Sequence, residues 1–394
     1  MLALLLTLMM VPQETAGEPT RAEELQQARE EKAQHLQAPK RSKLEAGLHE
    51  FKERRIMERF QAGFNGFHPL IGGLKPGSGF ALGTSYDLTK KLRASAQFSF
   101  KGYKKYEVVY STPRFLSDRV FAEVRTTYRD YPQETYFGRG NNTRSEDKAV
   151  YGLEDKSVNG LIGVRLRKNV KVGAQLGWVD TSISKGTTSL HPSVVDTFIP
   201  TTLTAFDNSP TYLRAGAFFD VDSRDEPGNP RSGGRYVARL SSFQDQAMGV
   251  YDFTQFDIEA QHYIPFFNQR RVIALRAKTT MTRTSDGREI PFYMLPTLGG
   301  SEDVRGYEDY RFRDRNMVAF NAEYRFEAFS GLDVALFADA GKVAPTVGDL
   351  GFRNMKTAAG IGFRFNTSKR VFYRVDVGFS REGARIYMKF GNVF

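Results

Sequence analysis

The chain has 394 residues, 56 Lys and Arg against 45 Asp and Glu, a formal net charge of +11 and no cysteine, which excludes disulfides, a thiol nucleophile and thiolate metal sites. Its 36 Gly, 32 Phe and 18 Tyr beside a single tryptophan, Trp178, favour strands and tight turns over helices. No run approaches the ~18–20 apolar residues of a spanning helix, yet a mean hydropathy of −0.44 does not exclude a membrane barrel, in which only alternate residues face lipid.

Residues 1–11 are apolar except for Thr7, and the small residues Thr15, Ala16 and Gly17 follow. This pattern predicts a signal peptide over residues 1–17; the alternative is a short buried helix. Residues 18–56 are rich in Glu, Gln, Lys, Arg and Ala and are interrupted by Pro39. They predict a helical or partly disordered periplasmic tether, too short for a folded domain with its own core.

From residue 57 to the end the sequence predicts a transmembrane antiparallel β-barrel, because the pattern changes to period two. Val371, Tyr373, Val375, Val377 and Phe379 alternate with Phe372, Arg374, Asp376 and Gly378. Ala359, Ile361, Phe363 and Phe365 alternate with Ala358, Gly360, Gly362 and Arg364, and Ile386, Met388 and Phe390 with Tyr387, Lys389 and Gly391. A β-sandwich also alternates, but here the polar face carries charge beside small residues, as a crowded lumen requires. The connections alternate too: short at 88–91, 113–118, 167–169, 265–270 and 366–370, long at 131–148, 180–210, 286–315 and 342–354. Three depart from the rule: 100–104 and 380–384 are short outer turns, and 222–234 is a longer inner one. Short periplasmic turns against long outer loops predict about sixteen strands in a bacterial outer membrane. The first strand is expected near 59–66 and the last at 385–392, with Gly63, Gly66 and Gly391 weakening the seam between them. The basic residues are spread along strands and turns, which points to outer-membrane lipid rather than nucleic acid as partner.

The long loop between the eleventh and twelfth strands carries Val304-Arg305-Gly306-Tyr307 after the pair Gly299-Gly300. The thirteenth strand carries Phe337-Ala338-Asp339-Ala340-Gly341, the next Gly360-Ile361-Gly362-Phe363, and an inner turn reads Asp222-Ser223-Arg224-Asp225-Glu226-Pro227-Gly228-Asn229-Pro230. In these four segments, in this order, the chain resembles the BamA/TamA superfamily, also called the bacterial surface-antigen family, whose members insert or export proteins at the outer membrane. The resemblance covers residues 59–394. It implies that Val304, Arg305, Gly306 and Tyr307 form the tip of a loop locked inside the lumen. Independently of the family, many outer-membrane barrels end on an aromatic after the last strand, so Phe390 and Phe394 are expected to serve as a C-terminal assembly signal. The family's POTRA modules do not fit in the stretch ahead of the strands, so a member without them is expected, and substrate capture by such modules is not carried over.

Parity puts Phe337, Asp339 and Gly341 on the lumen face. The planar fork of Arg305 suits bidentate pairing with a carboxylate, with Asp339 the first partner and Glu323, on the twelfth strand, the second. The bland alternative is that Arg305 is an exposed loop cation.

His35, His49, His68, His191 and His262 are scattered without metal-ligand spacing, and there is no G-x-S-x-G elbow or phosphate loop. No enzyme, cofactor or metal is expected; a barrel phospholipase with a Ser and a His at the lumen edge is the competing enzyme reading. Two functions remain: a monomeric barrel that helps insert or pass proteins or lipids, or a passive channel or structural protein without that activity. A separate periplasmic protein docking on the tether would favour the first.

Overall fold

A computed structural model describes residues 21–35, 43–54, 62–186, 188–367, 369–391 and 394. The expected signal peptide lies outside these residues, as do 18–20, 36–42 and 55–61 of the tether and its junction. The chain divides into two units, Met1–Ala46 and Gly47–Phe394. In the first, helix α1 (Arg21–His35) has Leu25 as its one large apolar residue and is polar all round. Helix α2 (Lys43–Glu53) crosses the boundary between the units and carries an Arg54–Glu50 ion pair at its end. Among the described residues no helix is long and apolar enough to cross a membrane, which says nothing of crossing by strands.

The second unit is a sheet of sixteen antiparallel strands paired in sequence order. They are β1 (Phe67–Gly72), β2 (Ala81–Asp87), β3 (Leu92–Ser99), β4 (Lys104–Thr112), β5 (Val120–Tyr136), β6 (Ala149–Arg167), β7 (Val170–Lys185) and β8 (Thr211–Asp222). The second half comprises β9 (Gly233–Asp245), β10 (Phe253–Phe266), β11 (Arg271–Arg283), β12 (Asn316–Phe329), β13 (Leu332–Ala344), β14 (Lys356–Asn366), β15 (Val371–Ser380) and β16 (Gly383–Phe390). The sheet curls into a nearly closed barrel. Alternation sets the two faces: on β16, Ile386 and Met388 are 64% and 63% exposed on the outside, whereas Tyr387 between them is 8% exposed.

The connections keep to their predicted ends, but several strands run further than their patterns suggested. β5 continues to Tyr136 through an irregularity between Tyr131 and Glu134, and β7 continues to Lys185. The long connections are therefore 137–148, 186–210 and 345–355, shorter than predicted, and 284–315, two residues longer. Over the β5–β10 side of that end, aromatic residues draw the loops together. Tyr136, Tyr151 and Phe292 pack with Val194 and Leu203, and Tyr212, Tyr251 and Phe253 pack with Ile290 and Leu295.

The seam differs from the expectation. The first strand is 67–72, not 59–66: residues 59–61 lie outside the described residues, and Gly63 and Gly66 sit ahead of β1 at φ +74° and +83°. They are turn residues and do not weaken the seam. β1 is instead six residues long and contains Pro69, which has no N–H to give to a ladder and belongs on an edge. β1 pairs with β2 and β16 with β15, but no ladder joins β1 to β16. Between them lies a cavity of about 620 Å³ bordered by Gly72, Phe80, Lys101, Ile386 and Phe390. The Phe80 and Phe390 rings meet there, their centroids 6.5 Å apart.

Candidate functional site

The 284–315 connection folds back into the barrel. Thr297–Leu298 pairs with Phe312–Arg313 in a short antiparallel ladder, which closes residues 299–311 into a lobe. Leu298, Val304, Tyr307 and Phe312 seat the lobe on Met317, Ala319, Val343 and Ala358 of the lumen wall. Gly306, at φ +101°, turns the tip in a conformation that L side chains rarely adopt.

Arg305 is fully buried at the centre. Its Nε and Nη2 donate to the two oxygens of Asp339 on β13, at 2.7 and 2.8 Å, and its backbone N–H donates to the same carboxylate at 3.1 Å. Its Nη1 donates to Glu323 on β12 and lies 3.6 Å from Asp376 on β15. The guanidinium carbon stands 3.5 Å from the centre of the Phe337 ring, a stacked cation–π contact.

The pair sits within a larger network. Glu323 accepts from Arg325 at 2.7 Å and from Arg364 at 2.9 Å, and Asp376 pairs with Arg364 at 2.6 Å and Arg374 at 2.7 Å. Asn321 donates to Asp339 at 2.9 Å, and Arg374 reaches the Ser301 carbonyl at 3.0 Å. Four arginines thus share three carboxylates. Carboxylates held by several guanidinium donors keep their geometry.

Two glycines make room for the lobe. A Cβ on Gly360 would stand 2.4 Å from the tip of the Phe337 ring and 2.0 Å from the Val377 carbonyl oxygen. A Cβ on Gly378 would stand 2.7 Å from the Gly306 nitrogen. Gly341 and Gly362 face the lumen beside Leu298 and Arg364 respectively. From β16, the Tyr387 hydroxyl accepts from the Gly306 N–H at 2.9 Å and donates to the Tyr307 carbonyl, while Ser380 donates to the Gly306 carbonyl at 2.7 Å. Glu308 bridges Arg385 of β16, at 3.0 Å, and Lys148. Arg311 anchors the base of the lobe on Glu382 and Thr143.

The structure brings Val304, Arg305, Gly306, Tyr307, Glu323, Phe337, Asp339, Gly341, Gly360 and Gly362 into one region. It separates the two terminal aromatics. Phe390 faces outward at the seam, whereas Phe394 packs against Tyr263, Val272 and Ala274, its carbonyl accepting from the Tyr263 hydroxyl at 2.9 Å. The sequence reading did not name Asn321, Arg364, Arg374, Asp376, Gly378 or Tyr387 as site residues. Parity already placed the last five on the lumen-facing side of their strands; nothing in the sequence said that the loop would reach them. Among the described residues no cluster of His, Asp and Glu is arranged to hold a metal ion.

The Omp85 superfamily domain matches residues 88–392. In fold the chain is similar to BamA from Haemophilus ducreyi lacking POTRA domains 1–3, with a TM-score of 0.62 and 15% identity over 84% of this chain and 70% of that one. It is also similar to CdiB from Escherichia coli, with a TM-score of 0.55 and 13% identity over 84% of this chain and 63% of that one. No curated protein matches it.

Proposed function

The chain belongs to the Omp85 superfamily, and from that footing we propose that it sits in the bacterial outer membrane and helps insert or pass proteins, or lipids, at the seam between β1 and β16. One observation carries this reading: among the described residues, every neighbouring pair in the sheet forms a ladder except the pair that would close it. Unpaired backbone N–H and C=O groups facing hydrocarbon are costly, so such an edge is a template for an incoming strand. The six residues of β1, at ~3.3 Å per residue, span only ~20 Å, less than the ~25 Å apolar band of such barrels. The bilayer is therefore thinnest where the edge lies. The lock of Arg305 on Glu323 and Asp339 holds the loop against β12–β16 and stiffens the wall on one side of the seam. The expected tether, residues 18–56, would hold a periplasmic partner. A passive channel is the competing reading; the buried loop and the aromatic cover over β5–β10 speak against it.

The test is a disulfide across the seam. A Cβ on Gly72 would stand 3.6 Å from the Cβ of Phe390, within the ~3.5–4.5 Å that a disulfide spans. Oxidised Gly72→Cys/Phe390→Cys protein in proteoliposomes should stop inserting a small client barrel and recover with reductant. A control pair on the neighbouring positions Leu336 and Ile361 should have no effect. Full insertion through a locked seam would overturn the proposal. Steady pore conductance without insertion in the unaltered protein would favour the passive channel.

A further inference from the structure

On the wall opposite the lock, a cavity of about 300 Å³ lies between β5–β7 and residues 293–313 of the loop. Its lining combines charged and aromatic side chains with the apolar Leu153, Val179, Met294 and Leu295. Lys75 pairs with Glu134, and Arg129 pairs with Asp155 at 2.9 Å. The third cation, Arg313, is 4% exposed and has no carboxylate in ion-pair distance among the described residues. Its Nη1 donates to the Phe292 carbonyl at 2.9 Å and the Tyr151 hydroxyl at 3.2 Å, and its Nε has no partner. The lining thus carries one positive charge in excess, on a buried group held by neutral acceptors and by the Tyr136 and Tyr151 rings rather than by a carboxylate.

Two further polar atoms point to what would complete it. Glu134 is 5% exposed, and its Oε1 is buried without a partner, as is the Tyr293 hydroxyl. The Tyr103 hydroxyl donates to the Gln133 carbonyl at 2.6 Å while lying within hydrogen-bond reach of Glu134. A carboxylate oxygen only accepts, so its complement must donate. Tyr131 and Tyr310 add ring faces to the lining. Tyr310 is held at φ +61°, a costly conformation for a side-chain-bearing residue, with Lys75 4.5 Å from its ring centre.

We infer that this chamber is a binding site for a small hydroxylated carboxylate of the sugar-acid class. The anionic group balances Arg313, the hydroxyls donate to Glu134 and bond Tyr293, and the C–H face of the ring lies on tyrosine. The volume equals that of about ten waters at ~30 Å³ each, which is the size of one monosaccharide. A second cavity of about 460 Å³ lies on the short-turn side and shares Lys75, Arg129, Tyr131 and Tyr310 with the first. Those four residues form the partition a ligand would pass on its way in from the short-turn end. The site is independent of the seam and does not rest on the insertion reading.

Saturation-transfer NMR on the purified full-length barrel in detergent micelles, with D-glucuronate, D-glucose and inorganic phosphate as probes, tests the inference. Glucuronate should bind at least tenfold more tightly than either glucose or phosphate. Arg313→Gln should abolish the preference of glucuronate over glucose. Because Arg313 also holds the loop, Thr181→Trp, which fills the chamber from β7, provides a second variant. It should lose glucuronate binding while keeping the fast gel migration of a folded barrel. No transfer to glucuronate, undiminished binding by folded Thr181→Trp, or phosphate binding as tightly as glucuronate would each overturn the assignment.

Discussion

Truncating Arg305 to alanine strands one carboxylate in particular. Glu323 keeps Arg325 and Arg364, and Asp376 keeps Arg364 and Arg374, so neither is left alone. Asp339 loses both guanidinium bonds and keeps only Asn321 at 2.9 Å and the backbone N–H of residue 305 at 3.1 Å. Breaking a buried pair costs ~3–5 kcal/mol; the two surviving bonds place this case at the lower end, about 3 kcal/mol of loop docking. At ~1.4 kcal/mol per tenfold, the loop should open about a hundredfold more often. Asp339→Asn leaves Arg305 with Glu323 and should cost less, ~1.5–3 kcal/mol. Arg305→Lys should rescue poorly, since an ammonium lacks the fork that spans both oxygens of Asp339. The double variant Arg305→Ala/Asp339→Asn should be no worse than Arg305→Ala alone, because the two changes remove one contact. Amide hydrogen exchange over residues 299–311, with thermolysin cleavage as a second readout, measures the opening. Unheated gel migration checks that the barrel stays folded. If the single effects add within ~0.3–0.5 kcal/mol, or if a guanidinium reagent modifies Arg305 in the native protein, the lock is not what holds the loop.

The same exchange measurement reads three other changes. Gly378→Val drives a side chain into the Gly306 backbone and should expel the lobe at an overpacking cost of ~1–3 kcal/mol, leaving the sheet intact. Tyr387→Phe leaves the buried Gly306 N–H without its acceptor and should loosen the tip by ~1–3 kcal/mol. Glu308 titrates below the ordinary glutamate range: burial pushes it up, but Lys148 and Arg385 outweigh that. A carboxylate depressed in the folded state stabilises above its unfolded pKa and stops doing so as pH falls through the folded one. Protection around Glu308 should therefore hold from neutrality down to about pH 4.3 and decline below it, and Glu308→Gln should flatten the profile. The untagged protein should fractionate with outer membranes and migrate faster unheated than boiled; recovery from the soluble fraction would refute the membrane assignment.

Much of the barrel is written in the sequence because a period of two is a local property. Arg364, Arg374 and Asp376 fall on the lumen face by parity alone, and the alternation of short and long connections orders the strands. What parity does not encode is reach. Whether a loop arginine meets Asp339 alone or a seven-residue charge network depends on how a lobe of the 284–315 connection settles against four strands. Tyr387 likewise reads as an inward aromatic, and only the fold shows it gripping Gly306. The misplaced first strand has a clear cause: Gly63 and Gly66 looked like weak strand residues but are turn residues at positive φ. Pro69 was the better clue, because a missing N–H is tolerated only on an edge. Glu134 falls within the predicted 131–148 connection because the irregularity after Tyr131 interrupts the alternation, so the chamber it lines is not legible from parity.

The bonds from Tyr387, Ser380 and Arg385 to the lobe have a mechanical consequence for the gap between β1 and β16. They reach only one side of it. β16 and β15 are splinted to a buried plug by their own side chains, whereas the six-residue β1 is tied to it through the connection that follows, where Lys75 lies over the Tyr310 ring and pairs with Glu134. The two lips of the opening are therefore unequal: one is a bolted jamb and the other a leaf latched only at its long-loop end. Widening should proceed by β1 peeling away from its short-turn end while β16 stays in register with the wall. A strand arriving from outside would then find β16 as the fixed template and β1 as the element it displaces.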